Sequence, residues 1–199
     1  MVEQEKTTTK EKILRASAKL FSERGFERVS TREIAKAVGI NSALIYYYFY
    51  SKEDILKNLY RLYADERRKE LPDMAELLRL VEIASPYNVF KRLQECENNE
   101  NRDFMNHILL IAVKEFSSDP ESERFIQTNV FGDISSILKP LLQRMVELGK
   151  IKPINIETFI NIVSFYCFSS IALHNSSFRK TIPEYQTGMS YIYSLITPE

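Results

Sequence analysis

Three tyrosines in succession, Tyr46, Tyr47 and Tyr48, are the residues of this sequence best equipped to meet a partner. On a helix, consecutive positions lie about 100° apart, so three neighbours cannot all face one core. At least one must turn outward with a ring that stacks and a hydroxyl that donates and accepts. The usual reagents of catalysis are sparse by comparison. His107 and His174 are the only histidines, and no third ligand sits at metal spacing near either. Cys96 and Cys167 lie far apart without a CxxC pairing, the pattern of reduced thiols. No nucleophile and base in a known motif, no paired carboxylates and no glycine-rich phosphate loop occur. The expectation is a protein that is not an enzyme and that holds no cofactor and no metal.

The tyrosine run must be positioned by the elements around it, and the stretch from Ser30 to Phe49 reads as two short helices joined at a glycine. Ser30 and Glu33 form a capping box, so a helix starts at Thr31, with Ile34, Ala35 and Val38 as its apolar face. Gly39 can take the positive φ that ends this helix, and Asn41 is a good cap for a second one from Ser42 to about Tyr48. Two helices with so short a turn make a helix-turn-helix. Ile45 and Phe49 share one side of the second helix, which leaves Ala43, Tyr46 and Tyr47 on the flank or back of that face.

From Ile13 to Leu56 the sequence resembles the DNA-binding segment of the TetR-type (tetracycline-repressor-like) transcriptional regulators. The residues that carry the resemblance are Leu20, Phe21, Gly25, Thr31, Ile34, Ala35, Gly39, Tyr46, Phe49 and the run Ser51, Lys52, Glu53. It implies that Tyr46 approaches base edges, that Tyr47 and Tyr48 donate to phosphates, and that Ser42, Ala43 and Leu44 stand at further groove contacts. Thr31, Arg32 and Lys52 match positions that grip phosphates, where free helix amides favour anions. The sequence also departs from the family pattern, in which position 42 is often basic, 43 often glycine and 44 often threonine. From Val38 to Ser51 there is no charged side chain, so readout leans on hydroxyls and apolar contacts, and Leu44 can touch a thymine methyl.

Around this segment, 199 residues with 44% hydrophobic and 27% charged content are ordinary for a globular protein. Few glycines and prolines, and no dominant alternating run, favour an all-α fold. The chain is neutral overall, but Met1 to Glu70 holds 15 Lys/Arg against 11 Asp/Glu, net +4, which leaves 12 against 16, net −4, for the rest. A basic amino-terminal third on an acidic body is a modest electrostatic footprint for DNA. Met1 to Thr7 is polar and reads as frayed, and Met1 to Lys12 lacks the apolar core of a signal peptide. The most apolar run, Phe159 to Leu173, is too short to span a bilayer. A cytoplasmic location without membrane contact is expected.

Punctuation by caps, prolines and glycines gives ten helices. Thr8 and Glu11 open the first, which ends at Gly25, and the fourth starts after Ser51 and stops at Pro72. One long helix runs from Ser118-Asp119-Pro120 to Gly149 with a kink at Pro140. The division expected is a three-helix head over residues 1–52 and a helical ligand-binding and dimerisation domain over 53–199, with 53–71 as connector.

Aromatic residues crowd the second domain, and Phe104, His107, Phe131 and Tyr166 are chosen as lining an apolar pocket for a small apolar or aromatic ligand. The last two helices present Phe159, Ile162, Val163 and Tyr166, and Tyr185, Met189, Ile192 and Ile196, with Gly188 small enough to admit a close neighbour. Those stripes exceed what one packing contact needs, so a homodimer over residues 156–197 is expected. The function read from these signals is a dimeric repressor on a pseudo-palindromic operator in double-stranded DNA, released by the ligand. The alternative is a DNA-binding dimer that senses no small molecule.

Overall fold

The computed structural model describes residues 8–95, 101–173 and 185–196. Cys96, His174, the first seven residues and the side chain of Tyr185 lie outside the described residues. Among those described, the chain is helical and contains no strand: α1 (Thr9–Arg24), α2 (Thr31–Val38), α3 (Ser42–Tyr48), α4 (Lys52–Glu70), α5 (Met74–Ile83), α6 (Pro86–Glu95), α7 (Arg102–Glu115), α8 (Pro120–Ile126), α9 (Asp133–Glu147), α10 (Ile156–Ala172) and α11 (Tyr185–Ser194). The predicted long helix is α8 and α9 joined by a π-helical stretch, Gln127–Gly132. Wider i→i+5 turns disturb the usual ladder, and here the Asn129 side-chain amide donates to the Phe125 carbonyl at 3.0 Å. Pro140 lies inside α9.

The chain falls into two compact units, one built from residues up to Glu66 with Asn101–Glu123, the other from Arg67–Glu100 with Arg124 onward. These packing boundaries differ from the division expected after residue 52. The first unit keeps most of α4 and takes in α7 because α7 packs along α1. Ile13, Phe21, Ile34, Ile45, Phe49, Ile55, Leu59, Ile108 and Ile111 are all buried there. Polar contacts fix the α1–α7 pairing. The Arg15 guanidinium donates to Asn101 Oδ1 at 2.9 Å and lies 4.7 Å from the Phe104 ring centroid. The Phe26 N–H donates to Glu115 Oε1 at 3.2 Å. Tyr60 bonds Ser122 Oγ at 2.7 Å. That hydroxyl already donates to Asp119 Oδ2 at 2.6 Å, so Tyr60 is the donor, and burial pushes its ionisation well above the usual tyrosine range.

In the second unit α9 packs against α5 and α10, and α11 against α6 and α10. Its core holds Leu77, Val81, Phe90, Leu141, Leu142, Met145, Val163 and Met189, and the Phe90 and Tyr193 rings stack with centroids 3.7 Å apart. Lys150 closes the end of α5: its ammonium donates to the carbonyls of Val81, Glu82 and Ala84 at 2.6, 2.8 and 2.9 Å. A cation there satisfies carbonyls that the helix leaves open and opposes the negative end of its dipole.

Candidate nucleic-acid interface

The site begins with two caps. The Glu33 N–H donates to Ser30 Oγ at 3.3 Å while the Ser30 N–H donates to Glu33 Oε2 at 2.9 Å, the reciprocal pair that starts α2. Those bonds from Ser30, more than the nearby Arg24, hold the Glu33 carboxyl below its ordinary range. Gly39 ends α2 at φ 75°, ψ 34°, a left-handed conformation that a Cβ would strain. Two residues on, Asn41 Oδ1 accepts the Ala43 N–H at 2.9 Å and starts α3.

Helix α3 is anchored by its own sequence. Ile45 and the following Phe49 are both 1% exposed, and helical geometry then turns Ala43, Leu44, Tyr46 and Tyr47 to solvent. Tyr47 is 79% exposed. Ser42 and Tyr48 are half-buried, and the Tyr48 ring meets Tyr47 edge to face at 5.0 Å. The Tyr46 hydroxyl lies 3.1 Å from Thr31 Oγ1, which ties the middle of α3 to the start of α2.

Beside this contact lies an open groove of about 410 Å³, lined by Arg28, Ser30, Thr31, Tyr46, Tyr50, Ser51 and Lys52 together with Glu27 and Val29. Lys52 is not a freely solvated charge. Its ammonium donates to the Phe26 carbonyl at 3.0 Å, reaches the Glu27 carbonyl at 3.4 Å, and sits 4.3 Å from the Phe26 ring centroid. Arg32 is exposed and Thr31 half-buried. Tyr50, absent from the residues expected to form the site, is 95% exposed and borders the groove. A signal for it existed: Phe49 is extended, at φ −140° and ψ 133°, so its neighbour must point away from the core that Phe49 enters.

Comparison with known proteins coincides with this segment. The family described as bacterial regulatory proteins, tetR family, matches residues 13–59. That segment, about a quarter of the chain, is similar to the amino-terminal domain of the TetR-type regulators. Over 54 residues it is 43% identical to the probable HTH-type transcriptional regulator YttP of Bacillus subtilis, a match covering 27% of this chain and 26% of that one. Over 61 residues it is 36% identical to the HTH-type transcriptional repressor KstR2 of Rhodococcus jostii, covering 31% and 30%. The chain thus spans about a quarter to two fifths of the length of the curated relatives it matches. Whole-chain likeness comes from solved structures. The hemolysin II transcriptional regulator HlyIIR is 26% identical with a TM-score of 0.64, covering 96% of this chain and 97% of that one. The regulator PfmR of Thermus thermophilus is also 26% identical, with a TM-score of 0.63, covering 94% and 95%.

Outside the head, the four residues expected to line a pocket are divided between the two compact units. Phe104 and His107 belong to the first compact unit, Phe131 and Tyr166 to the second. Phe104 is buried beneath Arg15, and His107 Nδ1 lies 2.7 Å from Ser22 Oγ, so both are occupied by the packing of α7 on α1. Phe131 instead faces Phe165 and Phe168 of α10, with centroids 5.8 and 6.0 Å away. The residues of the expected dimer stripes differ in burial. Phe159, Val163, Met189 and Ile196 are buried in the core of their own unit. Tyr166 and Ile192 are half-buried, and among the described residues of the expected set Ile162 is exposed. The close neighbour of Gly188 is Tyr166 of the same chain, whose Cζ would stand 2.5 Å from any Cβ there. Among the described residues, exposed apolar side chains here are Ile162 and Phe165 of α10, Tyr191 of α11 and Leu195 just after it. Among the described residues, no helix is long and apolar enough to cross a membrane.

Proposed function

We propose that this chain is a sequence-specific DNA-binding transcriptional regulator, a homodimeric repressor that a small apolar ligand releases from its operator. The observation that carries the reading is the exposed face of α3, set opposite the buried Ile45 and Phe49 in a helix-turn-helix of the tetR family. Laid in a major groove, α3 brings Ser42, Ala43, Leu44 and Tyr47 to the base edges, with Tyr48 at the border of the groove. Thr31, Arg32, Tyr46 and Lys52 grip the phosphates. Tyr46 moves to this second group because its hydroxyl already lies beside Thr31 at the start of α2. Of the two hydroxyls, the one that accepts in this contact keeps its own proton for a phosphate oxygen.

Two copies joined through Ile162, Phe165, Tyr191 and Leu195 would present two α3 helices to half-sites about 34 Å apart. The repressor sense follows the name of the Rhodococcus relative, and the ligand is assigned to the second unit. Support for the ligand is the Phe131, Phe165 and Phe168 cluster at the π-helical stretch, since such turns recur at functional sites. Against it stands the engagement of Phe104 and His107 within the first unit, which favours a DNA-binding dimer that senses no small molecule.

Selection of duplexes from a random pool by the full chain tests the reading. Enrichment of a pseudo-palindrome with half-sites one helical turn apart is expected, and a pool that enriches nothing sinks it. A panel of aromatic and long-chain apolar compounds then separates the two readings of the second unit. A compound that raises the melting temperature and frees the enriched duplex supports sensing.

A further inference from the structure

The exposed face of α3 lacks every side chain that reads a base with a pair of hydrogen bonds. Guanine is taken in this way by Arg or Lys and adenine by Asn or Gln, while cytosine is read by a single contact to Asp or Glu. None of these types occurs in Ser42–Tyr48. The one amide beside the helix, Asn41, is turned to the backbone, its Oδ1 holding the Ala43 N–H at 2.9 Å. An amide that reads adenine must offer both its oxygen and its nitrogen, and this oxygen is committed. The Tyr46 hydroxyl is likewise turned toward Thr31, 3.1 Å away.

Beside the single hydroxyls of Ser42 and Tyr47, what the face offers is apolar. Ala43 is exposed, the adjacent Leu44 is 36% exposed, and Tyr47 stands beside them. In the major groove one base-edge group alone is apolar, the 5-methyl of thymine. We propose that α3 recognises its half-site through thymine methyl groups packed on Ala43 and Leu44, so that the DNA ligand carries T·A pairs at the positions facing these two residues. This rests on α3 being the DNA-contacting helix. It goes beyond that reading by naming the chemical group that supplies the discrimination.

The test uses the duplex enriched by the full chain and a series in which single thymines are replaced by deoxyuridine. That exchange keeps the base pair and every hydrogen-bonding group and deletes only the methyl. Affinity should fall about fourfold for each contacted methyl, the worth of one buried methylene. In the Leu44→Ala variant the thymine duplex should bind more weakly, and the deoxyuridine exchange facing residue 44 should cost nothing further. Leu44 is partly exposed, so this variant should melt with the parent, which is checked directly. Deoxyuridine duplexes that bind as tightly as the thymine duplex overturn the proposal while the regulator reading stands. A penalty that persists in full in a Leu44→Ala, Ala43→Ser double variant assigns the methyls to other side chains and overturns it as well. A pool with no enriched sequence overturns the regulator reading, and this proposal with it.

Discussion

Lys52 is placed to do two things at once, and Lys52→Met separates them because it removes the ammonium while keeping most of the aliphatic stem. An ammonium has three protons. One meets the Phe26 carbonyl at 3.0 Å and a second the Glu27 carbonyl at 3.4 Å, which leaves a third for the groove that Lys52 lines. A charged hydrogen bond contributes about 1.5–3 kcal/mol when well made. Lys52 is half-exposed, so solvent screening brings the expected loss of hydrogen bond and ring contact together to roughly 1–2 kcal/mol. In a domain of this size that lowers the melting temperature by about 3–6 °C. The third proton is read separately, from the dependence of DNA affinity on salt. Losing one phosphate contact flattens the slope of log K against log salt by about 0.9. Scanning calorimetry and fluorescence anisotropy at four or more salt concentrations give both numbers. A stability change under about 0.5 kcal/mol refutes the clamp on the α1–α2 connection, and an unchanged slope in the folded variant refutes the phosphate contact.

Three further outcomes are expected. Ile162→Asp places a carboxylate on the outward face of α10 and should raise the dimer dissociation constant about a hundredfold or more, from roughly 1.5 kcal/mol of lost burial in each copy; sedimentation that still shows a dimer locates the interface elsewhere. Glu33 has its folded ionisation lowered by the Ser30 bonds, so its contribution is present above the ordinary glutamate value and is lost as pH falls through the lowered one. Acid should therefore loosen α2, and Glu33→Gln, which keeps a capping side chain, should flatten that dependence in amide exchange of α2. Lys150→Met leaves three carbonyls at the end of α5 without their shared donor and should cost about 2 kcal/mol in denaturant unfolding, while DNA affinity of the folded variant stays unchanged.

How far the sequence could be read depended on whether a residue's partner lay nearby along the chain. The head was legible because its determinants are local. Ser30 with Glu33, Gly39 at its left-handed turn, and Asn41 on the Ala43 amide each act within three residues. Once those ends are fixed, Ile45 and Phe49 set the rotation of α3 and so decide which tyrosines face outward. Helix α10 offered no such constraint, because it is apolar on more than one side. A stripe through Phe159, Ile162 and Val163 fits helical spacing, yet the structure buries the first and third and exposes the second. Periodicity identifies a face when the opposite face is polar, and here it was not.

The lysines that hold the two units were hidden for a different reason. Lys52 ends on Phe26, Lys114 on Ser22 and Lys150 on the last turn of α5, in every case on backbone carbonyls many residues away. A carbonyl carries no residue identity, so nothing in the sequence marks it as a lysine's partner. In sequence each of these lysines reads as a surface charge. In the folded chain Lys114 and Lys150 reach carbonyls in the last turns of α1 and α5, and Lys52 those of the α1–α2 connection. At Lys52 the consequence bears on the proposed function: the cation that would meet DNA is also the one that holds the α1–α2 connection beside the groove, so its charge would be presented to a phosphate only by the folded head.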